Sequence, residues 1–229
     1  MNPERNESHP EDQVLVSRQW LTQLEEKIAR LETRIERAED IEAIKKLTRI
    51  YGYYLDKALW DEMLPLFTPD CAIEVSHLGV YVGTAQAEVL FKKILGTGPA
   101  KSDENGLLPG QLYNHLILQG VVHVSDDGQQ AQGRWRTFMQ MAEFGQRAQW
   151  GEGPYEMTYR KMDGLWRIHS LHFYRTFHTP YDESWVTARS PKGGMRENYP
   201  PDHPPTVDYE PYPGAFVPPF HYKNPVTGK

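Results

Sequence analysis

The chain has 229 residues, of which 39% are hydrophobic and 12% aromatic, enough for one domain with extensions or for two small domains. Its net charge of −6, with no basic run, excludes the usual footprint of a nucleic-acid-binding protein. The single cysteine, Cys71, excludes a disulfide framework, and no apolar run approaches the roughly 20 residues that cross a bilayer, so we expect a cytoplasmic protein that binds no membrane.

The first 60 residues divide into a polar start and a long helical pattern. Residues 1–13 are polar and acidic and are predicted to be disordered, and residues 14–37 are predicted to form a helical extension. Apolar residues in this extension recur every three or four positions, as in a heptad seam: Leu21, Leu24, Ile28, Leu31, Ile35 and Ala38. Either the seam pairs with a second copy in a dimer or trimer, or it packs on its own domain.

After Ala38 the apolar stripe changes phase, which indicates that the helix begins to cover a domain. A second helix is expected at 60–67, ended by Thr68-Pro69-Asp70, and another at 84–95. Strand-like patterns follow at 71–77, 80–82, 113–124, 131–142, 155–162 and 165–175. Helices followed by a run of strands indicate the α+β class.

The last 51 residues, 179–229, differ in composition from the rest of the chain. Prolines are dense at 200–219 and alternate with the rings of Tyr199, Tyr209, Tyr212, Phe216 and Phe220. Disordered segments are usually poor in aromatic residues. We therefore expect an extended arm that docks its rings on its own domain or on a neighbouring subunit.

Three motifs, in order, resemble the SnoaL-like family of the nuclear-transport-factor-two-like superfamily. They are IEAIKKLTRIYGYYLDKALWDEMLPLFTPDCAIEV at 41–75, Asn114-His115-Leu116 at a strand start, and the closing hairpin DGLWRIHSLHF at 163–173. The resemblance covers roughly 38–178. It implies a cone: a strongly curved antiparallel sheet wrapped by N-terminal helices.

Within that superfamily the resemblance extends to scytalone dehydratase, whose helix Asp matches Asp56 and whose strand His matches His115. The hexachlorocyclohexane dehydrochlorinase also uses such a pair for elimination. The second catalytic His of the dehydratase falls near Met141, its Asn near Tyr155 and its helix Tyr on Leu55. This departure implies a different substrate. The general plan is also similar to lignin-derived diarylpropane lyases, which release formaldehyde without a cofactor.

The resemblance implies that His115 is the base and that Asp56 orients it and stabilises the imidazolium. Taken singly, Asp56 would be read as a helix cap and His115 as a core histidine. Tyr53, three residues before Asp56, and Lys57 are further catalytic candidates. Strand parity and position relative to the pair give the substrate-binding candidates, which are Tyr54, His77, Tyr113, Gln119, Tyr155, Tyr159 and Phe173. If no bulge intervenes, His169 shares the inner face with Phe173.

No metal or nucleotide motif is found, so no metal and no cofactor are expected. The favoured function is a lyase that acts on a small phenolic aromatic alcohol through a quinone methide, by dehydration or loss of formaldehyde. The alternatives are a non-catalytic, oxygenase-type small subunit or ligand-binding module of the same fold, and an isomerase or cyclase. A homo-oligomer is expected in each case.

Overall fold

The computed structural model describes residues 10–96 and 105–229 and divides the chain into two compact units, Met1–Asp40 and Ile41–Lys229. Helix α1 spans Pro10–Asp56 and belongs to both units. It begins four residues earlier than predicted, and residues 1–9 of the predicted disordered segment lie outside the described residues. Within 10–96 and 105–229, no helix combines the length and apolar character needed to span a bilayer.

In the first unit the heptad seam is exposed to solvent. Leu21 is 50% exposed, Ile28 46% and Ile35 56%. Apolar side chains at this spacing are typical of a helix that pairs with another helix. Pairing with a second copy therefore stays a prediction.

In the second unit, α1 buries one stripe of side chains spaced by four, three and four residues: Ile44, Thr48, Tyr51 and Leu55. This is the period of a helix with one face on a core. Tyr51 meets Phe67 edge to face, with ring centroids 5.9 Å apart. Thr48 Oγ1 lies 2.8 Å from the Tyr159 hydroxyl. These contacts fix the helix on the sheet.

Short elements connect α1 to the main strands. They are α2 (Trp60–Met63), a 3-10 turn (Leu64–Leu66), β1 (Phe67–Val75), a second 3-10 turn (Ser76–Leu78), β2 (Val80–Val82), α3 (Gly83–Glu88) and a π-helical turn (Val89–Leu95). The helix expected at 60–67 is thus a four-residue helix and a 3-10 turn, because β1 already begins at Phe67.

The remaining strands are β3 (Gln111–Val124), β4 (Gln130–Glu143), β5 (Arg147–Met162), β6 (Leu165–Phe173) and β7 (Phe177–Pro180), followed by α4 (Ser184–Thr187). The sheet runs in the order β2-β1-β6-β5-β4-β3, with β7 also paired to β5. The α+β cone is confirmed, but the sheet is mixed, because β1 and β6 run parallel. These two strands are far apart in sequence and need no hairpin between them.

Two interruptions of the strand register change which side chains face inward. In β3 the pairing with β4 shifts between Leu118 and Val121, where Gln119 adopts a φ of +52°. Between β5 and β6 a second shift leaves His169 unpaired. The expectation that His169 faces inward is therefore wrong, and its ring contacts Thr68 and Arg160 instead. Strict alternation holds only where no bulge intervenes.

The C-terminal arm docks on its own domain. Tyr209 is 6% exposed, and its ring lies 4.5 Å from that of His77. Thr206 donates hydrogen bonds to Glu74 in β1 through both its backbone N and its hydroxyl. Phe220 lies under the Arg134 guanidinium, 4.1 Å from ring centroid to Cζ. The arm was expected to dock either on its own domain or on a neighbouring subunit. In the structure its aromatic rings pack on its own domain.

Candidate active site

A cavity of about 110 Å³ lies between the C-terminal part of α1 and the inner face of the sheet. Most of its wall is aromatic, from Tyr51, Phe91, Tyr113, Tyr155 and Phe173. Besides the hydroxyls of the tyrosines, the polar residues in the wall are His115, Arg175 and His178. An apolar pocket with a few convergent polar groups is typical of small-molecule sites.

Asp56 and His115 meet beside this cavity. Asp56 is the last residue of α1, and its Oδ1 accepts a hydrogen bond of 2.5 Å from the His115 backbone N–H. The same oxygen lies 3.4 Å from His115 Nδ1. That nitrogen is buried and makes no hydrogen bond. The carboxylate thus holds the strand at its backbone and stands next to the ring, leaving Nε2 for a ligand.

A glycine permits this approach of helix and strand. A Cβ at Gly52, one helical turn before Asp56, would lie 2.9 Å from Ile117 Cδ1 and 3.8 Å from the His115 carbonyl oxygen. Such a distance to Ile117 is closer than a Cβ normally comes to another carbon. The absence of a side chain therefore lets α1 lie against β3, within reach of the backbone of His115.

Three buried tyrosines surround the pair. The Tyr113 ring lies 4.3 Å from the His115 ring in an edge-to-face contact, and Tyr51 and Tyr155 lie 6.4 Å apart. Burial, and then the negative charge of Asp56, raise the pKa of Tyr113 far above its usual range. Burial also raises the pKa of Tyr51 and of Tyr155. All three hydroxyls therefore stay protonated at neutral pH; those of Tyr51 and Tyr155 hydrogen-bond each other, and a protonated hydroxyl can donate one hydrogen bond.

Sequence analysis missed two polar groups of the cavity, Arg175 and His178. Arg175 ends the strand predicted at 165–175 and shares the parity of Phe173, so the sequence did offer it as a candidate, whereas His178 lies beyond that pattern. Burial, and then the positive charges of Arg175 and His115, lower the pKa of His178 to about 4. Its Nε2 is buried without a hydrogen-bond partner. His178 is therefore a neutral imidazole at physiological pH.

Of the predicted residues, the structure brings Tyr113, Tyr155 and Phe173 into the cavity wall with His115. It does not bring Tyr53 there, since that side chain is 74% exposed. Successive helical residues turn by about 100°, so Tyr53 points roughly opposite Tyr51, which does line the cavity.

Lys57 is also exposed, just beyond the end of α1, and Tyr54 packs against the core outside the cavity wall. Neither residue, as placed, touches the cavity. Of the four predicted catalytic residues, Tyr53 and Lys57 are therefore excluded from the cavity, and Asp56 and His115 remain.

Three further substrate-binding candidates also lie elsewhere. His77 is buried against Tyr209 of the arm. Tyr159 accepts a hydrogen bond from Trp135 and contacts Thr48, so its hydroxyl is used within the core. The bulge in β3 carries Gln119 into a separate groove with Arg134 and Arg136. Parity along the strands failed at the bulge, and for His77 because β1 ends at Val75.

The cavity wall therefore combines two imidazoles, three phenols and one guanidinium, with the Asp56 carboxylate next to it. Within residues 10–96 and 105–229, no group of three or more His, Cys, Asp or Glu side chains is placed to hold a metal ion. What the arrangement supplies is proton transfer next to an aromatic wall.

Comparison with known proteins agrees with this fold. A putative scytalone dehydratase from Novosphingobium aromaticivorans is 18% identical, with a TM-score of 0.54 over 72% of this chain and 97% of that one. A hexachlorocyclohexane dehydrochlorinase from Novosphingobium barchaimii is 16% identical, with a TM-score of 0.54 over 69% and 99%. A putative aromatic ring hydroxylase from Novosphingobium aromaticivorans is 20% identical, with a TM-score of 0.51 over 62% and 94%.

At these identities the structural matches show a shared fold. No curated protein matches the chain significantly. The model of the SnoaL-like domain, however, matches residues 36–172, more than half of the sequence. The chain therefore belongs to the SnoaL-like domain family.

Proposed function

We propose that this protein is a cofactor-independent lyase that acts on a phenolic aromatic alcohol through a quinone methide. The observation that carries the proposal is that His115 lies in the wall of an aromatic cavity with the Asp56 carboxylate next to its ring. Fold relatives named as a dehydratase and a dehydrochlorinase support elimination chemistry. The fold alone does not fix the reaction.

In the first step the substrate loses its benzylic hydroxyl. The imidazolium of His115, stabilised by Asp56, gives a proton to that hydroxyl, and the C–O bond breaks with release of water. The para-hydroxyl gives its proton to solvent, and its electrons form the C=O and the exocyclic C=C bond of the quinone methide. Tyr113 and Tyr155 line the same cavity, and we propose that their protonated hydroxyls hydrogen-bond the leaving oxygen.

In the second step His115, now neutral, takes a proton from the substrate. If it takes the proton of a neighbouring primary hydroxyl, the O–H electrons form the C=O of formaldehyde and the adjacent C–C bond breaks. If it takes a proton from the neighbouring carbon, the product is simply dehydrated. In both cases the electrons make a C=C bond and restore the aromatic ring as a phenolate, which takes a proton back from solvent, and His115 regains its proton.

The volume of the cavity bears on the choice of substrate. An apolar cavity of about 150 Å³ is known to hold benzene, so about 110 Å³ suits one phenolic ring at most. A diaryl substrate would have to keep its second ring at the mouth of the cavity.

The test compares four synthetic substrates with the purified protein. A monoaryl propane-1,3-diol and a 1,2-diarylpropane-1,3-diol are each supplied with a free para-hydroxyl and as the para-methyl ether. Formaldehyde is measured colorimetrically, and the alkene is followed by its ultraviolet absorption. We expect turnover of the free phenols and none of the ethers, because the ether cannot supply the electrons that expel the benzylic oxygen.

Turnover of the methyl ethers at the same rate would refute the quinone methide and leave a carbanion-type elimination by the same pair. Release of the alkene without formaldehyde would identify a dehydratase. If no aromatic alcohol turns over and the protein co-purifies with a catalytic subunit, the non-catalytic role replaces the proposal.

A further inference from the structure

Arg175 presents a cation to the cavity with no carboxylate to neutralise it. It lies two residues after the end of β6, and its Nη1 donates a hydrogen bond of 2.8 Å to the Pro191 carbonyl. Among the described residues, no Asp or Glu oxygen forms an ion pair with it. On the outer face of the sheet, by contrast, Arg134 pairs with Glu156 and Arg136 with Glu152.

An unpaired cation in a largely buried position is costly, so its retention calls for a reason. Burial lowers the pKa of Arg175, but a guanidinium remains charged at any physiological pH. The positive charge therefore persists in the cavity wall.

The C-terminal arm holds Arg175 in place. The backbone N–H of Arg175 donates to the Tyr209 hydroxyl at 2.7 Å, and Pro191, which accepts from the guanidinium, also belongs to the arm. Tyr209 itself is 6% exposed. The guanidinium is thus positioned before any ligand arrives, which lowers the entropy lost when a ligand binds.

His178 lies close to both Arg175 and His115, whose charges contribute to its low pKa. As a neutral ring it does not cancel the charge of Arg175. Its buried Nε2 has no partner and can donate to or accept from a ligand oxygen, depending on the tautomer. The cavity thus has a proton-transfer pair and, near it, an electropositive corner.

We propose that Arg175, assisted by His178, binds an anionic oxygen of the aromatic substrate, either a phenolate or a carboxylate. The inference rests on the proposed function and deepens it by naming the charge of the substrate. In a quinone-methide reaction the negative charge returns to the para oxygen when the ring is restored. A fixed guanidinium at that oxygen would stabilise this charge through a charge-assisted hydrogen bond.

Binding, measured without turnover, tests the proposal. Benzoate and its neutral isostere benzamide are titrated into the protein by calorimetry, and 4-nitrophenol is titrated while the yellow absorption of its phenolate is followed. The variants are Arg175→Met and Arg175→Lys, with Arg167→Met as the matched control. Arg167 likewise donates to a backbone carbonyl, that of Pro65, but lies outside the cavity.

We expect the wild type to prefer benzoate to benzamide, or to enrich bound 4-nitrophenol in its phenolate. Arg175→Met should lose about ten- to hundredfold in affinity for the anion, the usual worth of a charge-assisted hydrogen bond. Arg175→Lys should recover part of the loss and Arg167→Met should show none. A loss confined to benzoate identifies a carboxylate, and a loss confined to 4-nitrophenol identifies a phenolate.

Equal binding of benzoate and benzamide by the wild type, with no phenolate enrichment, overturns the proposal even if Arg175→Met fails to fold. His115→Ala separates this proposal from the proposed function. It should remove turnover and keep the preference for the anion. If the wild type turns over no aromatic alcohol yet selects anions through Arg175, the lyase proposal fails and the anion site stands.

Discussion

Asp56 contacts the backbone of His115 more closely than its ring, at 2.5 Å from the backbone N and 3.4 Å from Nδ1. One carboxylate oxygen thus fixes the position of the strand and places a negative charge next to the imidazole. The two effects are separable by substitution. An asparagine retains an oxygen that accepts from the backbone N–H but carries no charge, whereas an alanine removes both.

We expect His115→Ala to reduce turnover of the phenolic alcohol by about 10²–10⁴-fold, the usual loss when a general acid–base group is removed. Asp56→Asn should cost less, because the ring remains and only the stabilisation of the imidazolium is lost. Steady-state kinetics would measure both effects. His123→Ala, on the exposed part of β3, is the control and should match the wild type.

Asp56→Ala should in addition lower the free energy of unfolding by about 1.5–3 kcal/mol, the range for hydrogen bonds to charged groups. Urea denaturation of Asp56→Asn and Asp56→Ala measures this difference. Equal stability of the two variants would mean that the bond to the backbone of His115 contributes nothing to the fold.

The sequence predicts those residues of the site whose positions are set by local patterns, and it misses those whose positions are set by long-range contacts. The α+β class and the position of Asp56 and His115 followed from motif order, and the helical stripe at Ile44 also marked the inner face of α1. Steps of four, three and four residues from Ile44 lead to Thr48, Tyr51 and Leu55. The stripe therefore includes Tyr51 and excludes Tyr53. This placement was thus within reach of the sequence and was missed.

Other features depend on long-range contacts that no local pattern reveals. The bulge that turns Gln119 away is set by pairing between β3 and β4. Strand parity reaches Arg175, but the hold of the arm on it, through Tyr209 and Pro191, is such a long-range contact. His178 lies in β7, a short strand that the alternation pattern did not reveal.

Gly153 in β5 allows the backbone after β6 to pass closely, and we expect Gly153→Ala to be destabilising. A Cβ there would lie 2.0 Å from the Tyr174 carbonyl oxygen, which is backbone and cannot move aside easily. Overpacking of this kind costs about 1–3 kcal/mol. Gly194→Ala is the control, since a Cβ there meets nothing within 4 Å. Equal melting temperatures of the two variants in thermal unfolding would contradict this prediction.

The exposed seam of α1 leads us to expect a dimer or trimer. Multi-angle light scattering at micromolar concentration should give a multiple of 26.5 kDa. Leu24→Glu together with Leu31→Glu should shift the mass to that of the monomer, because charges at seam positions are costly to bury. Thr33→Glu, on the opposite side of the heptad, should leave the mass unchanged. A wild-type mass of 26.5 kDa would contradict the prediction.

The low pKa of His178 predicts a loss of stability in mild acid. Burial holds it at about 4 in the folded protein, against an ordinary value of 6.5. Above about pH 6.5 the ring is neutral in both states and has no effect. Between about 6.5 and 4 the unfolded chain binds a proton that the folded chain does not, so the free energy of unfolding falls as the pH falls. The contribution of this one group is at most about 3 kcal/mol.

His178→Gln removes the titrating group and keeps a polar side chain in the cavity. Urea denaturation of both proteins between pH 7 and pH 4 should show a flatter dependence for the variant, and the difference between the two curves cancels the other titrating groups. The difference between their free energies of unfolding should appear below about pH 6.5. It should stop growing near pH 4, where His178 in the folded protein also begins to bind a proton. Parallel curves over the whole range would show that His178 has an ordinary pKa, and that the corner beside Arg175 is not shielded from water.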